Sequence, residues 1–144
     1  MDKYGILKHY FGYDSFRTGQ EKLVDAILAG QDVLGIMPTG AGKSVCYQVP
    51  ALMLDGITVV VSPLISLMKD QVESLTQAGV HAAYLNSSLT PAQYSRALHN
   101  LSEGVYKLVY VAPERLSTEN FRTAVENLNI SLIAVDEAHC VSQW

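Results

Sequence analysis

The sequence predicts an α/β protein, a doubly wound parallel sheet with helices on both faces. Three observations predict it. Strand-like stretches alternate with helical ones along the whole chain. The strand-like stretches are apolar throughout, "ITVVV" (57–61) being the clearest. A strand with one wet face alternates apolar and polar residues, so continuous apolarity means burial on both faces, as in a parallel sheet between helices. Finally, the helical stretches carry residues that start and stop helices.

The elements follow in order. "KYGILKHYFGY" (3–13) puts Ile6, Leu7, Tyr10 and Phe11 on one helical face. "TGQEKLVDAILAG" (18–30) opens with Thr18 and Glu21 at capping-box spacing and closes with Gly30. "DVLGIM" (32–37) reads as a buried strand, and "GKSVCYQVPALML" (42–54) as a helix that Pro50 should break or kink. After the strand 57–61, "SPLISLMKDQVESLTQAG" (62–79) offers Ser62 as N-cap, Pro63 as first helical residue and Gly79 as stop. Leu64, Leu67, Met68 and Leu75 form its apolar stripe. "HAAYL" (81–85) is a short strand. "TPAQYSRALHNLSEG" (90–104) repeats the device with Thr90 as cap, Pro91 and Gln93. "KLVYV" (107–111) is a strand, "TENFRTAVENL" (118–128) a helix and "SLIAV" (131–135) the last strand.

Length and composition narrow the class. The 144 residues suffice for one domain with a core, and 49% hydrophobic with 17% charged residues is a globular balance. No apolar run approaches a membrane span, and the first residues lack the apolar core of a secretory signal, so the expected place is the cytoplasm. Two cysteines, Cys46 and Cys140, cannot build a disulfide framework and lack zinc-site spacing. A net charge of −4 argues against a broad basic face for nucleic acid. It leaves room for binding through backbone amides, helix N-termini and a few local cations.

Five stretches carry chemistry. "MPTGAGKS" (37–44) lies between a strand and a helix. Gly42, Lys43 and Ser44 match the end of the phosphate-loop pattern, while Met37 stands where its first glycine would be. The loop needs amides turned inward around a β-phosphate. Gly40 and Gly42 supply the backbone freedom; Pro38, Thr39 and Ala41 complete the turn. Lys43 would reach the β- and γ-phosphates and Ser44 would ligate magnesium. "LIAVDEAH" places Asp136 to hold the same metal and Glu137 to orient or deprotonate an attacking water. In "FGYDSFRTGQ" (11–20), Tyr13 and Arg17 can stack on a base and the Gln20 amide can donate to and accept from an adenine edge. "VVVSPLISLMKD" and "VYVAPERL" each follow a strand, and the carboxyl ends of strands are where open α/β sheets bind ligands.

Taken together and in this order, the stretches resemble the RecQ-type DNA helicases of superfamily 2 over essentially the whole chain. The resemblance implies a RecA-like phosphate-loop fold, with 1–144 as part of a first motor domain, cut before the strand of motif III. It implies ATP and magnesium at 37–44 and Asp136, and adenine held by Tyr13, Arg17 and Gln20. It implies contacts to single-stranded or partly duplex DNA from Ser62, Pro63 and Leu64, from Pro113, Glu114 and Arg115, and from Trp144. It also implies 3′–5′ unwinding in DNA repair and recombination. Ala41 departs from the glycine frequent there. The second motor domain, zinc-binding region and winged helix would lie outside this chain. An unfilled place in the sheet predicts that the fragment closes the gap, pairs with another copy, or is a trimmed remnant. A small nucleotide kinase is a competing reading, which the lack of an Arg-rich stretch opposes. A nucleotide-binding module without turnover of its own is another, compatible with the first.

Overall fold

A computed structural model describes residues 1–30 and 44–135. The chain falls into two compact units, Met1–Asp55 and Gly56–Trp144, where the sequence led us to expect one. The predicted strand 32–37 lies outside the described residues.

The first unit contains α1 (Lys3–Phe11), α2 (Gln20–Leu28) and α3 (Val45–Met53). Asp2 caps α1 by accepting from the Gly5 amide at 2.9 Å, and Gly12 ends it in the left-handed region. Ile6 and Leu7 of α1, Val24 of α2 and Val45 and Val49 of α3 form one buried cluster, with Tyr10 and Phe11 at its margin. The predicted first helical face is therefore the one that packs.

The predicted start of α2 is corrected. Gly19, not Thr18, is the N-cap, with φ 88 and no side-chain cap bond. Glu21 is drawn elsewhere: it accepts from the Tyr4 hydroxyl and pairs with Lys3 at 2.7 Å, while Lys3 also reaches Asp25 at 2.6 Å. The hydrogen bonds to Asp25 and then Glu21 hold the Lys3 ammonium well above its usual range, and those from Lys3 and then Tyr4 lower the Glu21 carboxyl. A raised cation stabilises below its ordinary pKa of 10.5 and loses this as pH rises through the folded value. A lowered carboxyl stabilises above its ordinary 4.5 and loses this as pH falls through the folded value. Lys3→Met should thus cost a constant, salt-sensitive amount between those limits and progressively less outside them. Urea midpoints across pH check this; a gap that stays level below pH 4 would refute it.

Pro50 sits inside α3, which runs on to Met53 rather than breaking. The Leu54 amide donates to the Pro50 carbonyl at 2.9 Å. Cys46 is buried there, and burial pushes its thiol up, away from the reactive thiolate.

The second unit is a four-stranded, wholly parallel sheet of β1 (Ile57–Val61), β2 (Ala82–Leu85), β3 (Leu108–Val111) and β4 (Ile130–Val135), in the order β2-β3-β1-β4. Between the strands come α4 (Ile65–Gln77), α5 (Pro91–Ser102) and α6 (Glu119–Val125). Ile57, Val59, Val61, Val109 and Val111 share one sheet face and cluster with Leu101 of α5 and Phe121 and Ala124 of α6. Tyr110 points to the opposite face, where its hydroxyl lies 3.5 Å from Gln71 of α4. Helices therefore cover both faces. The arrangement follows from a single crossover hand: the step from β1 to β2 runs one way along the sheet, and the next two run back.

β1 and β3 are buried at every position, as their apolar sequences require. The outer strands are not: Ile133 and Val135 on β4 are 65% and 48% exposed. Gly56 turns the chain into β1 with φ +90, and a Cβ there would stand 2.3 Å from the Asn129 carbonyl oxygen, so only glycine fits. The capping box of α5 is present as predicted. The Gln93 amide donates to Thr90 Oγ1 at 3.2 Å and the Thr90 amide to Gln93 Oε1 at 2.9 Å. The start of α4 is corrected. Leu64, in extended conformation, is its N-cap, its carbonyl accepting from the Met68 amide at 3.1 Å. Of the predicted stripe, Met68 and Leu75 are buried, Leu67 is half-buried and Leu64 is exposed; Val72, which the stripe did not include, is buried with them.

Candidate functional site

The register of the sheet brings the candidate residues of the second unit together. Leu85, Val111, Val61 and Val135 form one row, so all four strands end level at their carboxyl ends. The two predicted DNA-contacting turns leave from adjacent strands of that row. After β1 comes Ser62, buried, with its hydroxyl accepting from the Leu64 amide at 3.3 Å. Pro63 is half-buried and Leu64 exposed, so this turn offers its backbone and Leu64 rather than the serine hydroxyl. After β3 comes a 3-10 turn, Pro113–Arg115. Glu114 is exposed, and the Arg115 guanidinium lies over the Tyr94 ring, 4.7 Å from its centroid. Among the described residues Arg115 has no ion-pair partner.

A third strand end went unnoticed in the sequence. Asn86 follows β2 and is fully buried. Its Oδ1 accepts from the Ser88 amide at 2.9 Å and the Ser88 hydroxyl at 2.5 Å, and its amide approaches Met68 Sδ at 3.3 Å. It fixes the turn beside the candidate residues. The available signal was its position, a polar residue directly after a strand, like Ser62.

In the first unit, Tyr13 is 49% exposed and Arg17 is exposed, so both side chains are available for stacking. Gln20 is 4% exposed, and its Oε1 accepts from the Arg17 amide at 2.7 Å. That bond ties the glutamine to the backbone of the arginine, so the two form one small structure before α2. Ser44 immediately precedes α3 in helical conformation and makes no side-chain capping bond. The α3 amides of Tyr47 and Gln48 close onto its carbonyl at 3.2 and 2.9 Å. Met37, Pro38, Thr39, Gly40, Ala41, Gly42, Lys43, Asp136, Glu137 and Trp144 lie outside the described residues. Among the described residues no cluster of His, Cys, Asp and Glu could hold a metal, and no helix is long and apolar enough to cross a membrane.

The fold and the site define an α/β protein with a parallel sheet, and the candidate residues of its second unit lie at the carboxyl ends of adjacent strands. Residues 17–144 match the model of the DEAD/DEAH box helicases. The chain belongs to that family. It is 51% identical over 140 residues to the ATP-dependent DNA helicase RecQ of Bacillus subtilis, with 96% of this chain aligned. It is 52% identical over 139 residues to the proteins of the same name from Haemophilus influenzae and Pasteurella multocida, again over 96% of this chain. The chain spans 24% of the Bacillus relative and 22% of each of the other two.

Proposed function

We propose that the chain is the ATP-binding portion of a RecQ-type DNA helicase, which couples ATP hydrolysis to 3′–5′ movement along DNA in repair and recombination in the cytoplasm. The observation that carries this is identity of about one half to proteins named ATP-dependent DNA helicase RecQ, sustained over 96% of the chain. The level strand ends support it, since two turns suited to a nucleic-acid strand leave one sheet edge side by side.

Each residue then has a task. Lys43 and the amides of 37–44 hold the β- and γ-phosphates, aided by the partial positive charge at the start of α3. Ser44 and Asp136 would hold magnesium; a Ser44 side chain without a capping role fits this. Bound magnesium would neutralise charge developing on the transferred phosphoryl group. Glu137 orients the attacking water and takes its proton. Tyr13 and Arg17 stack on the adenine while Gln20, held by the Arg17 amide, reads its edge. Arginines from a second motor domain would complete the γ-phosphate site. The chain alone is therefore expected to bind nucleotide without unwinding, since an arginine finger contributes roughly a thousandfold or more to phosphoryl transfer.

The test is calorimetric titration of the chain with Mg-ATP and, separately, Mg-GTP. Binding of ATP well above GTP is expected, because only the residues before α2 discriminate the base. Equal affinities would refute the adenine-reading roles of Tyr13, Arg17 and Gln20. DNA-stimulated hydrolysis at a helicase-like rate by this chain alone would refute the division of labour.

A further inference from the structure

The stretch 12–19 joins α1 to α2 and carries Tyr13 and Arg17, with Gln20 directly after it. It begins and ends at glycines of positive φ, Gly12 and Gly19. Gly19 gives α2 no side-chain cap bond, so the start of that helix is not fastened by its own N-cap. It is fastened from α1 instead. Tyr4 touches the residues on either side of 17–20. Its ring lies against Phe16, with 5.9 Å between centroids, and its hydroxyl donates to the Glu21 carboxylate. Phe16 in turn packs against the buried cluster of this unit. Lys3, its side chain only 17% exposed, pairs with the same carboxylate at 2.7 Å and reaches Asp25, one turn further along α2, at 2.6 Å. Hydrogen bonds to an ionised acceptor are the stronger kind. Between the two anchor points, the Arg17 amide donates to Gln20 Oε1 at 2.7 Å and the Gln20 amide to the Arg17 carbonyl at 3.0 Å. Tyr4 is itself 48% exposed, so its part is not core filling.

We infer that Tyr4 is a positioning residue for base selection: from α1 it sets the stretch 17–20 through Phe16 and Glu21, while Lys3 holds the carboxylate. This rests on the proposed adenine-reading roles of Tyr13, Arg17 and Gln20. A hydrogen-bonding edge tells one base from another only while its donors and acceptors keep their places. Phosphate binding at 37–44 makes no such demand on 17–20. Loss of Tyr4 therefore costs the preference for ATP over GTP and leaves the chemical step alone.

Steady-state hydrolysis of ATP and of GTP by the full-length helicase, with DNA present, tests this. Tyr4→Ala should raise KM for ATP roughly fivefold, the worth of about one hydrogen bond, and leave KM for GTP and kcat with either nucleotide unchanged. Tyr4→Phe keeps the ring on Phe16 and loses only the bond to Glu21, so its KM for ATP should fall between the parent and Tyr4→Ala. In an Arg17→Ala background Tyr4→Ala should add nothing, because residues that act through one structure are not additive. An equal rise in KM for both nucleotides would overturn the inference, since it would mean a general loss of structure. So would an ATP preference unchanged in Tyr4→Ala, or the full effect of Tyr4→Ala reappearing on top of Arg17→Ala. Arg17→Ala alone separates this inference from the reading beneath it. If that variant keeps the preference, the adenine-reading roles fall and the role of Tyr4 with them; if it loses the preference while Tyr4→Ala does not, only the role of Tyr4 falls.

Discussion

Glu137→Gln, introduced into the full-length helicase, is expected to leave ATP binding intact and to cut turnover by roughly a hundred- to ten-thousand-fold. The substitution keeps size and hydrogen bonding but removes the basic oxygen. A group that only orients the nucleophile would lose part of its effect; a group that also takes the proton loses nearly all of it. Lys43→Ala provides the contrast, since a phosphate-holding cation acts on the ground state too, and both affinity and turnover should fall. Equilibrium binding and single-turnover hydrolysis separate the two. Normal turnover in Glu137→Gln would remove that residue from its proposed role, and unchanged ATP affinity in Lys43→Ala would remove the lysine from the phosphates.

Tyr110→Ala is expected to destabilise the chain by about 3–5 kcal/mol, a large part of the roughly 5–15 kcal/mol that holds most domains folded. Tyr110 is wholly buried on β3, an inner strand, level with Tyr84 of β2 and Val60 of β1. Its loss opens a cavity that neighbours fixed by sheet hydrogen bonds cannot collapse into. Tyr110→Phe keeps the ring, so it opens no comparable cavity and should cost less than Tyr110→Ala. Urea unfolding measures both. A Tyr110→Ala variant within about 1 kcal/mol of the parent would mean that this strand is not enclosed as described.

What the sequence made legible was whatever depends on near neighbours or on a run of one residue type. The Thr90–Gln93 box is local and appears as read. The strands β1 and β3 announce themselves by uniform apolarity. The misread start of α2 has a distant cause: Glu21 was claimed by Lys3 and Tyr4 on another helix. The candidate site divides the same way. The glycines and lysine of 37–44 and the acids of 136–137 are read from spacing alone and lie outside the described residues. The stacking of Arg115 on Tyr94 is not, because two separate elements must fold before those residues meet.

The strand order also sets a timetable. β1 is an inner strand, yet both its neighbours, β3 and β4, lie far downstream; Thr58 pairs with Leu108 and Leu132. At the usual pace of synthesis of about 5–20 residues per second, Ile57–Val61 must wait seconds after leaving the ribosome before its first partner exists. Throughout that interval a five-residue segment of uncharged, β-branched character is open to any other strand it meets. Production of this protein should therefore be limited by capture of the nascent chain, and slower translation or a holding chaperone should raise the soluble yield more than a stabilising ligand added after synthesis.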